Sequence, residues 1–490
     1  MQLINSRGTN DYIVDTDSLL SFANTNVQNA YGTQTFMSVN PVTLSLLPVR
    51  NATTFVTDSS GQAWYMLTSG EKYYMPTLQI AQDWGFNPVS NGLTVVSDSL
   101  LSSYTTVGNL SYIAENSSDG SLWVLDGSKH LIPSGTTEEA WIPSGSTPTS
   151  FSAQSLALLP TGANVSTLIQ GQGSPFVYTM DNGQKRYLVN SNAQNAWGSS
   201  LFGITTVNEN LVNSIPEGGH LSYMVQNSGN YYLLMQGVAY EVNPTYDYSW
   251  GANWTTPTIA NSTLARFTIA SQNLGPYIQI GGTDYIMEAL TAIPVTTHLD
   301  AYNFTSSNTV TLPTSYFAVG SQASYIVQAD NKLWLISNGQ KYWLDSFPIA
   351  ASYGFISQNV PVTQLDPAVI NQIPTNPAIP SLLITTQNQG IKLLNFGRAL
   401  AFPNGTTLSD YYSNTNYIFS VSPSVYNSFN IYGSTSSLIL DDYGKVYSVS
   451  NGQRDWITNP SLLNTTYAGI PITYLDGTTM AIIPQGQNIN

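Results

Sequence analysis

The 490-residue chain contains no cysteine, so disulfides are excluded and the redox compartment cannot be read from them. Charge is nearly as scarce, at 8% of residues against roughly 25% in an ordinary soluble protein. Only 13 residues are Lys or Arg, against 28 acids, for a net charge of −15. Phosphate binding needs a basic patch, so nucleic acid is not an expected partner. No stretch approaches the roughly 18 apolar residues of a membrane span. The opening Met1-Gln2-Leu3-Ile4-Asn5-Ser6-Arg7 has neither the basic start nor the apolar core of a secretory signal. The three histidines, His130, His220 and His298, stand at unrelated offsets and give no converging ligand set for zinc or copper. No GxGxxG, Walker A, GxSxG, HExxH or EF-hand pattern occurs. Calcium alone is entertained, at Asp15-Thr16-Asp17 and in the loop 115–120.

Hydrophobic residues at 42% and aromatics at 12% are too plentiful for disorder. The surface is therefore covered mainly by Ser, Thr, Asn, Gln, Tyr and Gly. Such a neutral polar surface suits an extracellular protein, on a cell surface or a virion, better than a cytosolic enzyme.

The chain repeats itself. Its clearest unit is residues 324–378, centred on Leu333-Trp334-Leu335-Ile336-Ser337-Asn338-Gly339-Gln340-Lys341-Tyr342-Trp343-Leu344. Two aromatic and β-branched runs around Asn-Gly predict a hairpin with a type I′ turn. Turn glycines recur at Gly70, Gly127, Gly183, Gly237, Gly339, Gly397 and Gly452, and a degraded hairpin at 285–289 fills the one double gap. An aromatic-Gly step follows most turns: Trp84-Gly85, Trp197-Gly198, Trp250-Gly251 and Tyr353-Gly354, with Tyr31-Gly32 marking a worn first copy. An apolar-Pro-x-Gly tail closes several units, as in Ile215-Pro216-Glu217-Gly218. Nine units of roughly 54 residues result: 1–52, 53–109, 110–164, 165–220, 221–273, 274–323, 324–378, 379–435 and 436–490. Each offers three to four strands and a short helix, as in 192–197 and 347–353. The expected class is all-β with short helices, the units arranged like propeller blades in one large ring or two smaller propellers, or as an open array.

The cations are not scattered. Lys72, Lys129, Lys185, Lys341, Arg398 and Arg454 all stand one or two residues after a turn glycine. Hairpin register then predicts trios on one face: Lys72 with Tyr65 and Tyr74, Lys185 with Tyr178 and Tyr187, Lys341 with Trp334 and Trp343, Arg454 with Tyr447 and Trp456. Such a face could stack a sugar ring while the cation donates to its hydroxyls, with avidity from repetition. The alternative is a lysine stem packed on an aromatic core. Acid pairs suited to glycoside hydrolysis are lacking: Glu138-Glu139 and Asp441-Asp442 are adjacent, and on a strand would face opposite ways.

The unit Tyr-hydrophobic-x-x-Asn-Gly-Gln-Lys-x-Tyr/Trp-hydrophobic, followed by aromatic-Gly and apolar-Pro-x-Gly, resembles repeats of bacterial secreted and cell-wall-associated proteins. The composition also resembles surface-layer and appendage proteins of acidophilic microbes. The resemblance implies a binding or spacer module. The expected function is a non-enzymatic structural component of a cell surface, or an adhesion module for its glycans, with no cofactor and with glycans or further copies of itself as partners. A virion tail or spike protein and a propeller glycosidase are the alternatives.

Overall fold

The computed structural model describes residues 2–5, 11–32, 35–89, 92–253, 255–302, 304–356, 360–413 and 417–490. Met1 and residues 6–10, which enter the reading of the N-terminus, lie outside the described residues. Among the described residues, nine sheets of four or five strands follow one another along the chain.

The stretch around Asn338-Gly339 shows the plan. A lead-in strand, Ile326–Ala329, pairs antiparallel with the first hairpin arm, Lys332–Ser337, which pairs antiparallel with the second arm, Gln340–Trp343. Asn338 and Gly339 have φ of 52° and 69°, the two left-handed positions that a type I′ turn requires. The helix Phe347–Ser352 follows and carries the chain back to Thr363–Gln364, parallel to the lead-in strand. A closing helix, Pro367–Ile370, leads to Thr375–Asn376, parallel to the second arm. The sheet is thus an antiparallel meander with a parallel strand on each side. The expected class, β repeats with short helices, is found, with four or five strands per sheet in place of three or four, and no closed propeller is seen among the described residues. A helix between two strands makes a crossover, and crossovers give parallel neighbours.

The worn first hairpin is intact, Asp11–Asp15 against Ser18–Phe22. So is the degraded one, Thr283–Glu288 against Thr291–Val295. Its turn, Ala289-Leu290, keeps φ of 47° and 62° without glycine, an unfavourable conformation for leucine that a bond to the preceding helix end holds in place (below). The expected helices appear as Ser191–Ala196 and Phe347–Ser352. Asn190 caps the first through Ala193 N–H, and the left-handed Gly198 beyond Trp197 ends it.

The apolar cores lie between successive sheets. One joins Ile13, Leu20 and Tyr31 to Val56, Leu67 and Tyr104; the next joins Phe55, Met66 and Trp84 to Ala114, Leu125 and Phe151; a third joins Ile113, Val124 and Trp141 to Ile169, Met180 and Leu211. No single sheet could bury its apolar face alone, which is the physical reason for tandem repetition. The contacts divide into two compact lobes. The first is Met1–Tyr240 with Thr256–Ala270, and the second is Glu241–Thr255 with Ser271–Asn490.

Candidate functional site

The register places the predicted trios as expected. Tyr65 faces Tyr74, Tyr178 faces Tyr187, Trp334 faces Trp343 and Tyr447 faces Trp456. Each cation lies over the ring of the first arm: Lys72 over Tyr65 at 5.7 Å, Lys185 over Tyr178 at 5.9 Å, Lys341 over Trp334 at 5.1 Å and Arg454 over Tyr447 at 5.5 Å. The partner of the ammonium is the protein itself. Lys72 donates to Leu101 O at 2.8 Å, Lys185 to Val212 O and Ile215 O at 2.7 and 3.1 Å, and Lys341 to Ile370 O at 2.8 Å and Asn371 Oδ1 at 3.0 Å. Lys129 does the same with Leu156 O and Leu159 O, over Trp123.

These carbonyls lie at the C-terminal end of the closing helix, where a cation is electrostatically favoured, and several share their oxygen with a backbone N–H, as Ile370 O does with Ile373 N–H. Lys185 and Lys341 are buried, 8% and 3% exposed, and desolvation lowers the pKa of each below the ordinary lysine value. At the three lysines the sugar hydroxyls expected to take these donors are thus replaced by the chain's own acceptors, and those trios are lysine caps on the core; Arg454 lies over Tyr447, with its buried Nε unpartnered among the described residues.

The same residue explains the apolar-Pro-x-Gly tail. Lys185 N–H donates to Pro216 O at 2.9 Å, and Gly218 N–H returns to Lys185 O at 2.9 Å. Lys129 with Pro160 and Gly162, and Arg454 with Pro484 and Gly486, repeat the pair. Proline has no N–H to leave unpaired there, and the tail becomes one more parallel neighbour of the second arm.

Three further contacts join each repeat to the next. First, the aromatic residue at the end of the first helix donates forward to the carbonyl two residues before the next lead-in strand. Trp84 reaches Ser111 O at 2.9 Å, Trp141 Ser166 O at 3.0 Å, Trp197 Ser222 O at 2.9 Å and Trp250 Gly275 O at 3.0 Å. Tyr31, Tyr302, Tyr353 and Tyr411 reach Thr53, Ser324, Ser381 and Ser436 O in the same way.

Second, the turn N–H of the next repeat caps that helix end: Gly127 to Asp83 O, Gly183 to Ala140 O, Leu290 to Ser249 O, Gly339 to Ala301 O, Gly397 to Ser352 O. A Cβ on Gly70 would stand 3.3 Å from the Gly32 Cα, so the turn glycine and the aromatic-Gly glycine are required by one close approach. Third, at six of the turns the residue before it accepts from the start of the next repeat's closing helix. Asp15 takes Ser97 N–H at 3.2 Å, Asp126 Asn208 N–H at 2.9 Å, Asp181 Ala260 N–H at 3.1 Å, Glu288 Asp366 N–H at 2.7 Å, Ser337 Ser422 N–H at 2.7 Å and Asn395 Asp476 N–H at 3.0 Å.

The remaining candidates resolve individually. His130 lies between Asp126 Oδ1, 2.8 Å from Nε2, and Ala163 O, 2.7 Å from Nδ1. Both neighbours are acceptors, so the doubly protonated, cationic form of the ring is the one that satisfies both. The Asp126 hydrogen bond accordingly raises the His130 pKa, against a smaller effect of burial. His220 is an exposed ring edge-on to Tyr187. The Asp15 carboxylate accepts from Arg50 at 3.0 Å, and Asn116 and Asp119 close turns onto Ser118 and Ser121. Among the described residues no three His, Asp or Glu side chains gather as a metal site.

The sequence reading missed Lys392, the pre-turn acceptors, and the aromatics Trp141, Tyr302 and Tyr411, which lack the following glycine. One unused signal was available: Ser111, Ser166, Ser222, Ser324, Ser381 and Ser436 recur two residues before a lead-in strand.

No protein-family model and no curated protein matches the chain. Among solved structures it is similar to the periplasmic assembly from the ESX-5 inner membrane complex, at 10% identity and TM-score 0.13, over 90% of this chain and 93% of that one. It is also similar to an EccB3 dimer from the ESX-3 core complex (10%, TM-score 0.12, 55% of this chain and 97% of that one) and to an intact ESX-5 inner membrane complex (10%, 0.13, 78% and 80%). These structures come from a periplasmic assembly and inner membrane complexes, not from an exposed cell surface or a virion. The expected extracellular or virion location is corrected accordingly and is not carried further. TM-scores this low describe no shared overall arrangement, so neither the partners nor the place of those complexes is transferred to this chain.

Proposed function

We propose that the chain is a non-enzymatic structural protein, built of nine tandem β repeats, that serves as a subunit of a larger assembly. One observation carries the reading: the polar groups that recur with the repeat bond to the chain's own backbone. The lysines cap closing helices, the Trp and Tyr donors cross to the next repeat, and the pre-turn acids and hydroxyls hold the following helix. A repeated position that served a ligand would keep its donor free, as sugar- and anion-binding groups do. Here repetition multiplies joints. Joints of this kind fix each repeat against its neighbour within a lobe, which is the property an assembly requires of its structural parts.

The test is isolation of the protein from its native source under non-dissociating conditions, with the particle mass measured by light scattering. Co-migration in fixed stoichiometry with other components or further copies supports the proposal. A 53.2 kDa monomer in every fraction overturns it.

A further inference from the structure

Arg398 departs from the repeat, and the departure frees it. The capping lysines stand two residues after the turn glycine, whereas Arg398 stands one after. The two-residue period of a strand puts it on the opposite face of its arm. Capping passes across the hairpin to Lys392, whose Nζ reaches Tyr426 O and Phe429 O at 2.9 and 2.8 Å. Arg398 is exposed, and among the described residues its guanidinium has no carboxylate or carbonyl partner. Its neighbour is the Tyr432 ring, 5.9 Å away.

Arg398 and Tyr432 line a cleft of about 680 Å³ in the second lobe, within the size range of small-molecule sites. His298, Gln322, Tyr325 and Asn430 line it too. His298 Nδ1 is buried and has no partner among the described residues, and a buried polar atom of this kind calls for one. The lining contains no acid and no second arginine or lysine. A single free guanidinium matches a single carboxylate, gripped through two parallel N–H donors. The exposed Asn430 amide matches hydroxyls, and the Tyr432 ring, unlike the buried Tyr325, offers a flat apolar face.

We propose that this cleft binds an acidic sugar, a pyranose ring carrying one carboxylate, with Arg398 on the carboxylate, Tyr432 beside the ring, and Asn430 on its hydroxyls. The site is independent of the structural role proposed above.

The experiment titrates the full chain with methyl glucuronide, methyl glucoside and acetate, followed by saturation-transfer NMR and calorimetry. Methyl glucuronide is expected to saturate the site, with the neutral glucoside weaker by about tenfold or more. Arg398→Gln is expected to lower glucuronide affinity to the glucoside level without changing the melting temperature, because the side chain is exposed. Absence of saturable glucuronide binding up to about 20 mM, or unchanged affinity in Arg398→Gln, overturns the proposal. Acetate binding as tight as that of the glucuronide overturns the sugar assignment.

Discussion

The two lobes meet the same geometric demand with different chemistry. In the first lobe the pre-turn acceptors are Asp15, Asp126 and Asp181, and each carboxylate pairs with a cation: Arg50 at 3.0 Å, His130 at 2.8 Å and Arg186 at 2.8 Å. In the second lobe the acceptors are Glu288, Ser337 and Asn395, and no ion pair is found among its described residues. The forward donors differ as well. Trp84, Trp141 and Trp197 serve the first lobe beside Tyr31, whereas Tyr302, Tyr353 and Tyr411 serve the second beside Trp250. What repeats is therefore a role at a position, a donor here and an acceptor there. A carboxylate is the stronger acceptor but calls for a countercharge when buried; Ser337 and Asn395 need none, and Glu288, half-buried without one, has its pKa raised by desolvation.

The largest effect is expected where the lobes agree in geometry and differ in ring. Trp141 and Tyr411 are both fully buried, and truncation to alanine should cost about 3–5 kcal/mol at either. The comparison sharpens with Tyr411→Phe. It keeps the ring and leaves Ser436 O without its donor, and should cost about 1–2 kcal/mol. Calorimetric unfolding checks both, and each substitution should move the transition of its own lobe. A Tyr411→Phe variant as stable as the parent would show that the ring alone makes the joint.

Next comes the element common to both lobes. Lys185→Met and Lys341→Met keep the stem over the aromatic ring and remove the ammonium from the helix carbonyls. Each should lose about 2–3 kcal/mol, because two acceptors lose a charged donor. Equal losses in the two lobes would establish the lysine cap as the invariant of the fold, and no loss in either would make the lysine mere packing.

How much of this was readable beforehand follows from the range of each interaction. Asn338-Gly339 fixed its turn through local backbone preference, and register arithmetic from that turn placed Trp334, Ile336, Lys341 and Trp343 correctly. The Trp84 and Trp197 anchors were visible because glycine follows them; Trp141, followed by isoleucine, was not. The parallel pairs were illegible, since Thr363–Gln364 is two residues long and has no pattern of its own. So were the joints, because Asp126 and Asn208 lie 82 residues apart in sequence. The cations were recognised as non-random, yet their partners are backbone carbonyls, which every sequence has and none displays. The location was not legible in the polar surface, because composition reports solvation and not compartment.

A smaller effect separates the lobes by pH. Asp83, buried in the first lobe, has its pKa raised to about 7, first by desolvation and, to a lesser degree, by Asp126. An acid whose folded value exceeds its ordinary 3.8 adds a penalty as pH rises between the two, so stability should fall from about pH 4 to 7. Asp83→Asn removes the charge and should raise first-lobe stability at pH 8 by about 2 kcal/mol while flattening that slope. Melting temperatures across pH 4–8 decide it, and a parent already flat over this range would sink the idea.

The smallest effect tests the ionic joint itself. The His130 pKa is raised above its ordinary 6.5, so the stability it adds is complete below that pH and is lost as pH rises through the folded value. Asp126 is held below 3.8 because bonds from His130, Asn208 N–H and Ser128 N–H together outweigh desolvation. Its contribution is present above that pH and is lost as pH falls through the folded value. The pair thus defines a window with an edge on each side. His130→Gln should lower first-lobe stability by about 1 kcal/mol inside the window, after allowance for solvent screening, and should abolish the alkaline edge while weakening the acid one, which the Asn208 and Ser128 N–H bonds still support. Ser337 in the second lobe does not titrate, so Ser337→Ala should lower stability by the same amount at pH 5 and pH 8. A pH-dependent loss there would mean that the neutral joint is coupled to a charge, and that the two lobes are less different than their residues imply.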